Sequence, residues 1–210
     1  MADNYLERRQ EELSHAEKKK VIRHHPSLET LLHKNRSYRG YDPGRVVSVN
    51  ELKSIVAVTT LVASGMNRQV LRYKLVLEAD ASKVLPLITL GGAIPEEHLP
   101  KPGTEPGAFI VVCSTVPEDR VVDMDLGIAA QSMLLKATQM GLGGVFVLNF
   151  RREALKRALA LLLEPLAVIA IGKPAESVYL LPGEEGHLSY YRKEGVHFVP
   201  KLPLDALLLP

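Results

Sequence analysis

At 210 residues the chain is long enough to bury a full hydrophobic core in one domain. Hydrophobic residues make up 46% and charged residues 24%, an ordinary globular composition rather than a disordered one. Lys and Arg number 26 against 24 Asp and Glu, and the resulting charge of +2 is too small an imbalance to point to nucleic acid.

The one cysteine, Cys113, lies in the apolar run FIVVCS, so no intramolecular disulfide can form. It reads as a small buried hydrophobe rather than a nucleophile. Apolar runs are broken well before the ~18 residues a spanning helix needs. The opening MADNYLERRQEELSHAEKKK has no apolar stretch of the signal-peptide kind. The expectation is a soluble, cytoplasmic protein with neither a membrane nor a nucleic-acid partner.

Residues 4 to 24 are dense in helix formers and mixed charges, predicting a solvated helix, so 1–26 reads as a helical extension and 27–210 as a single domain. His24 and His25 would point apart on a helix, and no third ligand is near, so no metal site is expected. Ser27 suits the N-cap of a short helix from Leu28 to His33. NRSYRGYD (Asn35–Asp42) and the turn DPGR follow. Ser48 or Asn50 then caps a helix with Leu52, Ile55, Val56, Thr59 and Val62 at helical spacing, ending at Ala63-Ser64-Gly65. QVLRYKLVLEAD alternates as a strand does. Ala81 to Leu90 reads as a short helix, and Gly91 to Gly107 as a long irregular loop carrying a solvated His98.

AFIVVCST is an almost wholly apolar strand suited to the middle of a sheet. VDMDLGIAAQSMLLKATQMG is the strongest helix, begun by Asp123 or Asp125 and ended by Gly141. The two aspartates read as helix-capping groups rather than acid–base or metal ligands. LGGVFVLNF leads into a helix from Arg151 to Leu163, PLAVIAIGKP is a compact strand, and the remainder is an extended tail with turns at PGEEG. This order is α+β, without the regular alternation of a doubly wound sheet.

Several kinds of chemistry are missing. There is no GxGxxG, Walker loop, HExxH, CxxC or GxSxG. If the chain is an enzyme, a bound cofactor performs the difficult step.

Three polar segments interrupt the apolar elements. In NRSYRG, Arg36 and Arg39 are neighbours if the segment is helical, and with Ser37 they offer donors suited to phosphate. The competing reading is an ordinary basic corner. In SGMNRQVLR, Asn67 and Gln69 sit two apart, and their amides could match the edge of a heterocycle or simply solvate a loop. In GLGGVFVLNF, Gly141, Gly143 and Gly144 permit close backbone approach or positive φ, and Phe146 to Asn149 could lay backbone amides against a flat ligand.

Taken in order with DLGIAAQSMLLKATQMGLGG and AVIAIGKPAE, these segments resemble the FMN-dependent nitroreductase family over roughly Leu31 to Leu208. The resemblance implies an α+β fold with a central, mostly antiparallel sheet flanked by helices in an intertwined homodimer. It places FMN at the subunit interface, with Arg36, Ser37 and Arg39 holding it and the arginines on its phosphate. Asn35 stands where family members often carry a further basic residue. Ser64 and Gly65 would line the site, and Asn67, often from the partner subunit, would meet the ring or ribityl chain with Gln69 close by. Leu148 and Asn149 fall where a backbone N–H faces flavin N5. Lys201 matches a basic residue that reaches the phosphate, and Arg192 is a second candidate in the tail.

The implied activity is hydride transfer from NAD(P)H through FMN to a small-molecule substrate, a nitroaromatic, quinone or related acceptor, by ping-pong turnover. No side-chain acid or base and no metal is implied. The alternatives are another flavin-dependent reaction such as reductive dehalogenation, and a non-catalytic phosphate- or nucleotide-binding protein.

Overall fold

The computed structural model describes residues 26–92 and 98–209, and the expected N-terminal helix lies outside them. Helix α1 (Leu28–Lys34) starts as its sequence predicts, with the Ser27 hydroxyl accepting the Thr30 N–H at 3.2 Å. Helix α2 (Val49–Ala57) is closed by a reciprocal capping box. Glu51 N–H donates to Ser48 Oγ at 3.3 Å, and Ser48 N–H donates to Glu51 Oε2 at 2.9 Å.

Helix α2 stops well short of Ser64. Val56, Val58, Thr59 and Thr60 crowd one stretch with β-branched side chains, and the two threonine hydroxyls donate to the Val56 and Ala57 carbonyls at 2.8 Å each. The chain tightens there into a 3₁₀ turn, Val58–Thr60.

Strand β1 (Leu71–Val76) is followed by the four-residue helix α3 (Glu78–Ala81) and a 3₁₀ turn at Leu85–Leu87. The single helix expected from Ala81 to Leu90 does not form, since Pro86 cannot supply the N–H that a continuing helix needs. His98, at the far side of the loop, is exposed.

After strand β2 (Ala108–Ser114), helix α4 runs from Arg120 to Gln139. Its cap is Asp119, which accepts the Val121 and Val122 N–H groups at 2.9 and 2.8 Å. Asp123 and Asp125 therefore do not begin the helix: Asp123 is an acid in its first turn, and Asp125 is buried. The far end matches expectation, with Gly141 in the left-handed region at φ 76°.

Strand β3 (Gly143–Val147), which the sequence reading passed over, leads to helix α5 (Arg152–Ala158). That helix ends before Leu163 because Ala160 turns left-handed, at φ 49°, to send the chain into strand β4 (Glu164–Gly172). The main sheet has the order β1-β2-β4-β3, antiparallel at every pairing.

The apolar runs of β2 and β4 follow from their central position. Ala108, Ile110 and Val112 with Ala167, Ile169 and Ile171 pack on one face, against Leu52 and Ile55 of α2 and Leu126, Met133 and Ala137 of α4. Phe109, Val111 and Cys113 with Val168 and Ala170 pack on the other, against Tyr41, Val84 and Leu155. A strand covered on both faces has no polar side to alternate with. Burial beside Glu164 pushes the Cys113 thiol up to about 11, so it carries no thiolate at neutral pH.

The tail is more ordered than its sequence suggests. Strands β5 (Val178–Pro182), β6 (Tyr191–Lys193) and β7 (Val196–Lys201) form a second sheet in the order β5-β7-β6. Glu194 and Gly195, at φ 52° and 79°, make the tight β6–β7 hairpin turn.

Candidate functional site

Asn35 closes α1 with an extended backbone, and the residues after it do not continue as a helix. Ser37 pairs in parallel with Gly144 on the outer edge of β3, and the Tyr38 N–H donates to the Gly144 carbonyl at 3.2 Å. Only glycine allows this approach. A Cβ on Gly143 would stand 2.6 Å from the Tyr38 ring, and one on Gly144 would stand 2.3 Å from the Ala170 carbonyl oxygen.

Pinned to the sheet edge, Asn35, Arg36, Ser37 and Arg39 form one wall of a cavity of about 250 Å³. Arg36 donates back to the Leu32 carbonyl, and Arg39 curls so that Nη1 donates to the Ser37 carbonyl at 3.0 Å. The facing wall comes from the second sheet. His197, Val199 and Lys201 alternate on one face of β7 and line the cavity with Val178 and Tyr190. The Arg39 guanidinium lies 5.3 Å from the Tyr190 ring centroid, a cation–π contact that orients it.

Arg192 does not line this cavity. It forms an ion pair with Glu176, both side chains being more than nine-tenths buried. The same carboxylate accepts the Arg39 N–H and, at 3.2 Å, the Gly40 N–H. Arg192 thus neutralises the acid that holds the Arg39–Gly40 backbone, which keeps Glu176 from opposing an anion in the cavity.

Polar atoms of this corner are left without hydrogen-bond partners among the described residues. Arg36 Nε and both ring nitrogens of His197 are buried and unpaired. Such groups cost about 1–3 kcal/mol each unless an acceptor or donor reaches them. Two arginines, a lysine, a serine and a histidine with unused hydrogen-bonding capacity suit the oxygens of a phosphate monoester.

The second predicted segment forms a different cavity, of about 210 Å³, lined in part by Ser64, Gln69, Tyr73 and Asp125. Its anchor is Asp125, whose two oxygens accept the Ser64 hydroxyl and the Gly65 N–H at 2.8 Å each. Gly65 is required there, since a Cβ would stand 2.2 Å from Val121 Cγ1. The segment is not extended. Met66, Asn67 and Gln69 have φ of 52°, 55° and 48°, an unusual left-handed cluster for residues with side chains. Gln69 Nε2 donates to Asn67 Oδ1 at 2.9 Å, and both residues are exposed.

Leu148 and Asn149 stand at the end of β3, both exposed, with the Asn149 carbonyl accepting the Thr89 N–H at 2.9 Å. The structure therefore brings Arg36, Ser37, Arg39 and Lys201 together and leaves Ser64, Gly65, Asn67 and Gln69 elsewhere. The sheet order explains the separation. The Ser37 segment lies outside β3, while Ser64–Gln69 precede β1 at the opposite edge. Four strand spacings separate those edges, roughly 19 Å.

Sequence reasoning missed His197, Tyr190, Glu176 and Asp125. A signal for His197 existed: counting back from Lys201 by twos along a strand reaches Val199 and then His197. Asp125 was signalled by an acid lying too deep in an apolar helix to cap it.

The chain matches the model of the nitroreductase family over residues 32–173, more than half its length. No functionally curated protein sequence matches it. Among solved structures it is similar to a nitroreductase family protein from Streptococcus pneumoniae, at 15% identity and TM-score 0.64, covering 88% of this chain and 100% of that one. It is also similar to an FMN-dependent nitroreductase from Clostridium difficile, at 21% identity and TM-score 0.56, covering 70% and 87%. A third is an NADPH:FMN oxidoreductase from Vibrio harveyi solved with NAD+, at 21% identity and TM-score 0.57, covering 84% and 80%. At these identities the structures speak for the fold, and the antiparallel sheet flanked by helices agrees with them. The family model and the shared fold together show that this chain belongs to the nitroreductase family.

Proposed function

We propose that the protein is an FMN-dependent oxidoreductase that takes hydride from NAD(P)H and passes it to a small acceptor, a nitroaromatic, quinone or related molecule, by ping-pong turnover. The observation that carries this reading is the cavity of Arg36, Ser37, Arg39 and Lys201, where Arg36 Nε and the ring nitrogens of His197 are buried without a hydrogen-bond partner among the described residues. That donor set fits the phosphate of FMN, and membership of the nitroreductase family supplies the reason to choose a flavin.

FMN, when bound, supplies a ring that accepts and releases hydride. The chain's own residues bind and orient it. Arg36, Arg39 and Lys201 neutralise the phosphate, and Ser37 adds a hydroxyl donor. Asn67 and Gln69 present amides to the ribityl chain or ring, from a segment whose position Asp125 sets through Ser64 and Gly65. Leu148 and Asn149 present backbone to the ring edge, where an N–H would favour the electron-rich state.

Because the phosphate cavity and the Asn67 segment lie at opposite sheet edges, the reading includes a homodimer in which each flavin is held by both subunits. The outer face of α4 supports it. Met124 and Ile128 are exposed there on either side of Gly127, a mid-helix glycine whose missing side chain would allow a second helix close approach.

The test is optical. Purified protein should carry the absorption of bound flavin, or acquire it with FMN, and NADH or NADPH should bleach it without oxygen. Protein that leaves added FMN free would overturn the reading and leave a phosphate-binding module in its place. Bound flavin that neither nucleotide reduces would remove the NAD(P)H step.

A further inference from the structure

His197 is the most completely buried polar group beside the phosphate cavity, with 2% of its surface exposed. Neither ring nitrogen has a partner among the described residues. Its ring is held edge-on against Tyr190, with centroids 5.0 Å apart and planes at 63°, and its backbone N–H donates to the Ser177 carbonyl at 2.9 Å. Strand position and ring packing thus hold it among the residues that line the cavity with Arg36, Arg39 and Lys201.

An imidazole there needs a reason. A buried hydrophobe of similar size would fill the same volume without two unsatisfied nitrogens. Water could serve one nitrogen but would not explain why the group faces a wall of cations.

We propose that His197 is a direct ligand of the phosphate, and that its N–H makes this site select a phosphorylated flavin over an unphosphorylated one. The inference rests on the flavin reading for the identity of the ligand, while its chemistry, a phosphate monoester, rests on the cavity. The neutral ring donates one N–H to a phosphate oxygen that the arginines and the lysine hold in place. Burial and the nearby Arg39 and Arg192 charges lower the ring's pKa and favour its neutral form, with Glu176 only partly opposing them. Riboflavin, lacking the phosphate, would leave the N–H unmet.

Two measurements test this. In the first, affinities for FMN and riboflavin are compared in wild type, His197→Phe and His197→Gln. The Phe variant should lose roughly 10–100-fold in FMN affinity with riboflavin little changed, and Gln should recover part of the difference. Equal losses for both flavins, or no loss, would overturn the proposal. The second needs no variant and so survives a folding defect. The ring resonances of His197 are followed by NMR as wild type is titrated with inorganic phosphate, FMN and riboflavin. They should shift with phosphate and with FMN but scarcely with riboflavin. If flavin binds and the ring is silent to phosphate and FMN alike, the ligand role fails while the flavin reading stands. If phosphate moves the ring and no flavin binds, the ligand role stands and the flavin reading fails.

Discussion

Arg36 and Arg39 reach one cavity by different means, and that difference makes them unequal as targets. Arg39 is buried, lies over Tyr190 and donates from its side chain to the Ser37 carbonyl, so removing that side chain disturbs the corner itself. Arg36 is half-buried, with its Nε unpaired, and Arg36→Ala is the cleaner experiment. It should weaken FMN binding by about 1–3 kcal/mol in a fluorescence titration while leaving the urea midpoint near the wild-type value. An unchanged dissociation constant would remove it from the phosphate site. His197 makes a prediction for the protein without ligand. Its folded pKa is depressed from 6.5 by burial first, then by Arg39 and Arg192. The unfolded chain therefore binds the extra proton once pH falls below that ordinary value. Stability is fully present above about pH 6.5 and is lost as pH falls through the window toward the folded value. His197→Phe should flatten the dependence of urea stability on pH between about 7 and 5. Parallel profiles for variant and wild type would assign the slope to other groups.

The glycine corner is the feature at the scale of elements that the site depends on most. Segment 36–38 lies along β3 because Gly143 leaves room for Tyr38, while Gly144 lets β3 itself close on the Ala170 carbonyl of β4 and Gly172 accommodates the buried Tyr41 ring. Tyr41 completes the clamp by donating to the Tyr38 carbonyl at 2.6 Å. A Gly144→Ala substitution forces a methyl against backbone, which cannot yield as a side-chain tip can. It is expected to cost about 1–3 kcal/mol in urea unfolding and to weaken flavin binding beyond that, since it displaces Ser37. Wild-type stability in that variant would show that β3 and β4 do not pack this closely in solution. The glycines were visible in the sequence, and so were the two reasons for them. Gly141 has the positive φ, whereas Gly143 and Gly144 serve close approach. The paired segment itself could not be read, because its partner strand lies about a hundred residues along the chain.

For the whole molecule, the proposed function asks for an assembly, because one flavin would have to reach both the Arg36 and the Asn67 clusters. Leu204, Leu207, Leu208 and Leu209 are exposed at the end of the tail, beyond the exposed outer face of α4. No helix among the described residues is long and apolar enough to cross a membrane. A dimer is expected by light scattering, and Ile128→Glu, placing a charge on the outer face of α4, should shift it toward monomer and release flavin with it. A monomeric wild type that still binds FMN tightly would mean one chain holds the cofactor alone.

The sequence alone determined the elements whose signal is local. The Ser27 and Ser48 caps, the alternation of β1, the doubly covered runs of β2 and β4, and the long α4 helix all follow from periodicity and end chemistry within a few residues. The arginine–serine segment could also be singled out, because guanidinium groups beside a break in apolar pattern are local facts. Tertiary structure decided which distant groups share a space. His197 and Lys201 face Arg36 only after the tail folds into its own sheet, and Asp125 becomes the anchor of Ser64 and Gly65 only when α4 crosses beneath them. Those pairings depend on burial and on contacts across sixty residues or more, for which short-range spacing carries no signal.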